Sequence, residues 1–353
     1  MPKIRVLIVD DSALMRKALT EALEKSLDIL VVGTACDAII AKEKIPQLAP
    51  DVLTLDIEMP RMNGLSFLKS LMADSPLPVL IVSSQIPASQ NAAVEALQNG
   101  AIEVVPKPQS GSGWAEFGVA LAAKVRAAAG TRPKRGINGS RTARLWPPSL
   151  ESASSPDRSL IAVGSSTGGP EALTELLMGL PANCAPIVIA QHIPSGFSRA
   201  LAERLDRECA MEVKEAQEGD LISPGRVLIA PGGLHLTVRR SGGVLRAALQ
   251  DGPPVCYQRP SVDVLFRSVT EVGAREAVGV VLTGMGNDGA DGLLRMRNAG
   301  ARTVVQDQGS CVVFGMPRAA IEAGAAERIM PLQEIAPQLL KWMRPYSSAR
   351  ISQ

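Results

Sequence analysis

Three residues suited to acyl transfer stand at the ends of separate apolar runs: Ser166, His192 and Asp288. Ser166 lies in Gly164-Ser165-Ser166-Thr167-Gly168-Gly169, after a short β-branched run and before Pro170-Glu171-Ala172-Leu173, which opens a helical pattern. The frame Gly164-x-Ser166-x-Gly168 suits a sharp strand-to-helix turn that lifts a serine hydroxyl out of a sheet. Glycine permits the positive φ and close backbone approach such a turn needs. The free N–H groups and partial positive charge of a helix start would stabilise an oxyanion. They would equally suit a phosphate, so the turn by itself fits a nucleophile or an anion cradle.

The rest of the chain separates the two. A serine hydroxyl needs a neighbouring base, and neutral imidazole can take its proton and return it to a leaving group. A carboxylate on the other ring nitrogen fixes the tautomer and stabilises the imidazolium. The chain holds only two histidines. His192 ends the run Ile189-Ala190-Gln191-His192, and Asp288 follows the run ending at Leu282 in Thr283-Gly284-Met285-Gly286-Asn287-Asp288-Gly289. Each has a plainer reading: Ser166 as a helix cap, His192 as a structural strand end, Asp288-Gly289 as a turn pair. Their coincidence at three strand ends favours catalysis. The order Ser, His, Asp differs from that of the α/β-hydrolases, which implies an unrelated sheet. A dinucleotide cradle would need an acidic residue at the end of the next strand, about 20 residues on, where this chain has Gln191-His192. A P-loop would need a lysine after the glycines. His235, in Pro231-Gly232-Gly233-Leu234-His235, is expected to line the same cleft outside the triad, and Arg259 is a candidate contact for an acidic substrate surface.

A second set stands in the first third of the chain. Asp10 and Asp11 follow the run 4–9, Asp56 follows 51–55, Ser83 and Ser84 follow 79–82, and Lys107 follows 102–105. Three carboxylates at one sheet edge repel unless a cation sits among them, and a few hard oxygen ligands suit Mg²⁺. Asp and Ser are common turn formers at single strand ends, but five such positions in register argue for a site.

The elements that must position these residues alternate. Besides the runs above, residues 14–25, 37–48, 65–73 and 89–99 have helical spacing, and later apolar runs fall at 160–163, 187–190, 227–230, 278–282 and 303–305. Such alternation predicts parallel α/β sheets with sites at the strands' carboxyl ends. Between the two halves, Pro, Gly, Ser and Arg without apolar periodicity predict a linker, with Trp146 packing between domains. At 353 residues two domains are expected. The formal net charge of +2 argues against nucleic acid or anionic membrane as a partner. No apolar run is long enough to span a bilayer, and the start lacks a signal-peptide pattern, so a cytoplasmic protein without direct membrane insertion is expected. Five scattered cysteines fit reduced thiols.

Asp10-Asp11, Leu55-Asp56, Met59-Pro60-x-Met62-x-Gly64, Ser83 and Lys107-Pro108 resemble the receiver domain of two-component response regulators. The resemblance implies a flavodoxin-like parallel five-stranded sheet, with Asp56 the phosphoacceptor. Asp10, Asp11 and Asp56 would hold Mg²⁺, and Ser83 and Lys107 would contact the phosphoryl group. Val104 stands where many receivers have an aromatic switch residue. Gly-Ser-Ser-Thr-Gly-Gly, Gln-His-Ile-Pro, Arg-Pro-Ser-Val-Asp-Val-Leu-Phe and Leu-Thr-Gly-Met-Gly-Asn-Asp-Gly are similar to the catalytic domain of chemotaxis protein-glutamate methylesterases. That family hydrolyses γ-glutamyl methyl esters on cytoplasmic helices of chemoreceptors, releasing methanol, and many members deamidate receptor glutamines.

Carried over by motif, Ser166 is the nucleophile, His192 the base and Asp288 its partner, with backbone N–H groups near Thr167 and Met285 as oxyanion-hole candidates. No cofactor is implied for the esterase. The implied organisation is a receiver over 1–125, a linker over 126–157, a doubly wound parallel α/β methylesterase domain over 158–345 and a tail over 346–353. A chemotaxis histidine kinase would be the phosphodonor, and the unphosphorylated receiver would cover the catalytic cleft. A non-catalytic adaptor, or an esterase serving a chemosensory system other than flagellar chemotaxis, are the alternatives. A DNA-binding regulator would need a helix-turn-helix module in place of strand–helix alternation.

Overall fold

The computed structural model describes residues 2–59, 63–84, 87–108, 113–131, 160–273 and 277–343. They form two compact units, one on each side of the stretch 132–159. Most of the expected linker, Trp146, Pro60, Met62 and the tail 346–353 lie outside the described residues.

The first unit runs β1 (Ile4–Val9), α1 (Ala13–Glu24), β2 (Ile29–Ala35), α2 (Ala38–Leu48), β3 (Val52–Leu55), α3 (Gly64–Asp74), β4 (Val79–Ser83), α4 (Pro87–Gln98), β5 (Glu103–Pro106) and α5 (Trp114–Ala129). The strands are all parallel in the order β2-β1-β3-β4-β5. β3 and β4 are buried along their whole length, as strands covered by helices on both faces must be. Two elements go beyond the sequence reading. β2 is an edge strand whose apolar run is interrupted by Gly33 and Thr34, and only its two ends are buried. α5 is alanine-rich, with little apolar contrast, yet it buries Phe117, Leu121, Val125 and Ala128 on one face. The expected linker start at 126 therefore falls inside its last turns, where Arg126 forks onto both carboxylate oxygens of Asp28 at 2.7 and 2.8 Å.

The second unit runs β6 (Ile161–Ser165), α6 (Gly169–Met178), β7 (Ile187–Gln191), α7 (Phe197–Glu208), β8 (Glu212–Glu215), β9 (Arg226–Ile229), β10 (His235–Ser241) and β11 (Val244–Gln250). It continues with α8 (Val262–Glu271), β12 (Val278–Val281), α9 (Ala290–Asn298), β13 (Arg302–Gln306), α10 (Met316–Glu322), β14 (Arg328–Met330) and α11 (Leu332–Met343). Seven strands form a parallel sheet in the order β14-β13-β12-β6-β7-β9-β8. Ile161 and Val163 of β6 face a core with α6, α7 and α11, represented by Leu173, Leu205 and Leu339. Ala162, of opposite alternation, faces Phe266, Leu293 and Ala320 of α8, α9 and α10.

The sequence reading missed β8, β14 and the hairpin β10–β11. β8 buries only Val213, and β14 is three residues long and at least partly exposed throughout. Both are edges with little hydrophobic signal. The hairpin turns at Gly242 and Gly243, both at positive φ, the conformation such tight turns require.

Strand order reverses between β1 and β3 in the first sheet and between β6 and β12 in the second. At such a point the connections leave in opposite directions and open a crevice at the carboxyl ends. The second crevice depends on close packing, because a Cβ on Gly164 of β6 would run into the methyls of Val262 on α8. Gly164→Ala should therefore destabilise the second unit by about 1–3 kcal/mol, the usual range for overpacking. Denaturant unfolding measures this, and an unchanged midpoint would contradict the packing account.

Candidate active site

Ser166, His192 and Asp288 follow β6, β7 and β12, three neighbours in the sheet. Backbone bonds bring their turns together: His192 N–H donates to Ser165 O at 2.9 Å, and Ser166 N–H to Thr283 O at 3.0 Å. Gln191, buried at the end of β7, joins the first two. Its amide nitrogen donates to Ser166 O and to His192 O, both at 2.9 Å, while its amide oxygen accepts from the Ser165 hydroxyl at 2.6 Å. The sequence reading gave Gln191 no role. Only the structure marks it, as a polar side chain ending the run Ile187–Gln191, every position of which is buried.

His192 Nε2 lies 2.7 Å from Asp288 Oδ2, with both side chains nearly enclosed. A carboxylate only accepts, so Nε2 carries the proton and Nδ1 is left as the basic nitrogen. Nδ1 is buried without a hydrogen-bond partner, available to an approaching hydroxyl. The bond from Ser166 to this nitrogen is thus not made in the resting structure, as is common before substrate binds. Ser166 itself is 7% exposed.

Asp288 is held by the start of α8. Its Oδ1 accepts from the Ser261 hydroxyl at 2.9 Å and Asp263 N–H at 3.0 Å, and its Oδ2 from Val262 N–H at 2.7 Å. Burial pushes the Asp288 carboxyl up, but the hydrogen bond and charge of His192, with the N–H groups of Asp263 and Val262, outweigh it and hold it below the usual carboxylate range. Asp288 is therefore an ionised partner for His192 at neutral pH.

The nucleophile turn and the Thr283–Asp288 turn pack on each other. Thr283 Oγ1 donates to Thr167 O at 3.0 Å and accepts from Val312 and Val313 N–H at 3.1 and 2.9 Å. Gly168, at φ +75°, begins α6, and a side chain there would strike Val312. Thr167 is buried and Met285 is exposed at the rim.

One expectation, for His235, is corrected; Arg259 stays a candidate contact and carries an exposed ion pair. His235 does not line the cleft. It is 2% exposed and bonds to Pro253 O and Ser261 N–H, because the first residue of β10 points into the hairpin's packing against α8. Arg259 meets Asp251 Oδ1 at 2.6 Å and Gly252 O at 2.9 Å.

In the first unit, Asp10, Asp56, Ser83 and Lys107 meet at the other crevice. Lys107 Nζ lies 2.8 Å from Asp10 Oδ2 and 2.5 Å from Asp56 Oδ2. Carboxylate oxygens of Asp10, Asp11 and Asp56 lie within 4.8 Å of one another, a hard-oxygen set that fits Mg²⁺. Asp10 and Asp56 are buried and Asp11 is exposed, so the set opens to solvent. Ser83 Oγ is fully buried without a partner, which leaves it available to a phosphoryl oxygen. Val104, in the switch position, is buried in β5.

Burial raises the Asp56 carboxyl, with Asp10 adding to it, and Lys107 opposes this without cancelling it. The folded state therefore holds this proton more tightly than the unfolded chain, and stability falls as pH rises from the ordinary carboxylate value through the raised one. Asp56→Asn, which carries no charge, should raise the unfolding midpoint of the receiver at pH 7 relative to wild type. The gain should shrink towards pH of about 4, where an ordinary carboxylate is half protonated. Thermal unfolding at the two pH values checks this; a variant less stable at pH 7 would contradict it.

With both sites described, the chain can be set beside known proteins. Residues 161–339 match the family model CheB methylesterase, and residues 6–113 match the response regulator receiver domain. The chain is 48% identical over 351 residues to the protein-glutamate methylesterase/protein-glutamine glutaminase 5 of Anaeromyxobacter dehalogenans, covering 97% of each. It is 46% identical over 354 residues to the protein-glutamate methylesterase/protein-glutamine glutaminase of Pectobacterium atrosepticum, covering 99% of this chain and 100% of that one. The crystal structure of the Thermotoga maritima CheB methylesterase catalytic domain matches with a TM-score of 0.51 and 38% identity, over 52% of this chain and 97% of that one. The motif resemblances are borne out, and the chain belongs to the CheB methylesterase family, with a response-regulator receiver domain preceding the esterase domain.

Proposed function

We propose that this chain is a phosphorylation-activated protein-glutamate methylesterase. It hydrolyses γ-glutamyl methyl esters on cytoplasmic helices of chemoreceptors and deamidates glutamines in the same substrates, for adaptation in chemotaxis-type signalling. The observation that carries this reading is the His192–Asp288 pair, 2.7 Å apart, at the strand end beside Ser166. The names and near-complete coverage of the relatives support it. A non-catalytic adaptor would have no use for a buried carboxylate, an oriented imidazole with a free nitrogen and a serine in a glycine turn.

In this mechanism His192 Nδ1 takes the Ser166 proton as Oγ attacks the ester carbonyl. Asp288 stabilises the imidazolium that forms. The negative oxygen of the tetrahedral intermediate is taken up by backbone N–H groups near Thr167 and Met285, where charge stabilisation contributes most. As the intermediate collapses, the C–O bond to the methoxy group breaks and His192 returns the proton, releasing methanol. Water, deprotonated by the same imidazole, then hydrolyses the acyl-serine to glutamate. A glutamine amide follows the same steps with ammonia leaving.

In the receiver, Asp56 takes a phosphoryl group from a histidine kinase, with Ser83 and Lys107 contacting it. Asp10, Asp11 and Asp56 would hold Mg²⁺, which when bound neutralises the phosphoryl oxygens. The added charge of about −1.5 to −2 draws Lys107 and Ser83 towards it and reshapes the receiver surface. Among the described residues no helix is long and apolar enough to cross a membrane, and action on cytoplasmic receptor helices requires a cytoplasmic enzyme.

Methanol release from methylated receptor membranes tests both halves. Ser166→Ala should lower the rate by at least about 1,000-fold; retained hydrolysis would remove Ser166 as nucleophile. A small-molecule phosphodonor with Mg²⁺ should accelerate wild type and leave Asp56→Asn unchanged; equal acceleration of both would contradict control through Asp56.

A further inference from the structure

The start of α8 is satisfied entirely by side chains, and one of them, His235, belongs neither to the triad nor to the helix. A helix start leaves its first N–H groups without intrahelical acceptors. Val262 and Asp263 N–H donate to Asp288, at 2.7 and 3.0 Å. Val264 N–H donates to the capping hydroxyl of Ser261 at 3.4 Å. The remaining group, Ser261 N–H, donates to Nδ1 of His235 at 3.1 Å. His235 Nε2 in turn lies 3.0 Å from Pro253 O.

These partners fix the state of His235. A carbonyl oxygen only accepts, so Nε2 must carry the proton. A backbone N–H only donates, so Nδ1 must be bare. His235 is neutral with one tautomer, and no apolar residue of its size could serve both partners, which are buried polar groups expensive to leave unpaired.

We infer that His235 is a positioning residue for the esterase reaction, acting on the triad through the amino terminus of α8. The inference rests on the reading of Ser166, His192 and Asp288 given above. β10 presents His235 from the hairpin, and His235 sets where the first residue of the α8 cap sits. Ser261 is fully buried, and its hydroxyl donates to Asp288 Oδ1 at 2.9 Å. The same helix end grips Asp288 Oδ2, the oxygen that orients His192. Loss of the Nδ1 acceptor frees the cap to tilt and carries with it the three donors that aim Asp288, the Ser261 hydroxyl and the Val262 and Asp263 N–H groups. His235 is 2% exposed and offers no surface to substrate, so the effect is expected in the chemical step.

Three variants test this on methylated receptor membranes. His235→Phe keeps a ring of similar size without an acceptor, and His235→Asn restores an amide oxygen near the Nδ1 position. His235→Gln reaches only towards the Nε2 position. His235→Phe should lower kcat by about 10- to 100-fold, the scale of small misplacements in a catalytic array, with KM within about twofold of wild type. His235→Asn should recover most of that loss and His235→Gln little of it. A purely structural role would track thermal stability and would not separate Asn from Gln. The inference is overturned if His235→Asn is as slow as His235→Gln, or if the loss falls on KM. Should the Phe variant fail to fold, the Asn–Gln pair decides alone. Ser166→Ala measured alongside keeps the two claims apart. If it stays active, the reading of Ser166, His192 and Asp288 as the triad fails; if it is inactive while all His235 variants keep wild-type kcat, only the role of His235 fails.

Discussion

The second unit depends on one buried carboxylate. Asp288 is 2% exposed, and an unpaired charge so deeply placed would cost several kcal/mol. Its two oxygens instead accept from Ser261, Val262, Asp263 and His192, each charge-assisted bond contributing roughly 1.5–3 kcal/mol. The helix dipole of α8 adds to this at its positive end. Those bonds also determine chemistry: with Oδ2 on His192 Nε2, the imidazole has one basic nitrogen and one orientation. Stability and the orientation of His192 use the same contacts, so the fold cannot relax around Asp288 without moving the imidazole.

The two units solve the same problem with one architecture. In each, a parallel sheet reverses its strand order, and polar side chains of the site stand on either side of the reversal. Asp10 and Asp56 follow β1 and β3, while Ser166 and Asp288 follow β6 and β12. The difference lies in what neutralises the charge. In the receiver a lysine bridges two carboxylates, in an oxygen-rich pocket that opens to solvent at Asp11 and is suited to a metal and a phosphoryl group. In the esterase domain a helix end and an imidazole surround the Asp288 carboxylate, with the buried Asp263 carboxyl close by. One crevice gathers carboxylates around a lysine, and the other holds a serine turn beside a paired imidazole and carboxylate.

Much of this was legible in the sequence because parallel α/β sheets put their chemistry at strand ends. Ser166, His192, Asp288, Asp10, Asp56, Ser83 and Lys107 all follow apolar runs, and the structure brings them together as two sites. What the sequence concealed depends on side-chain direction. His235 stands after an apolar run as His192 does, yet one turns into the hairpin's packing and the other onto Asp288. Gln191 was passed over because a strand-final glutamine has no distinctive spacing; only its complete burial marks it. β8 and β14 were missed as polar or short edges, and α5 because alanine gives little amphipathic contrast. Gly164 was read as a turn former, whereas its place is set by the closeness of Val262.

The central claim is that the Asp288–His192 pair activates Ser166. The most direct measurement is labelling of the full-length protein by a fluorophosphonate, with intact mass and peptide mapping to locate the adduct. The account predicts a single adduct on Ser166 whose rate of formation collapses in His192→Gln and in Asp288→Asn. Labelling of another residue, or labelling of Ser166 at an undiminished rate in both variants, would contradict it.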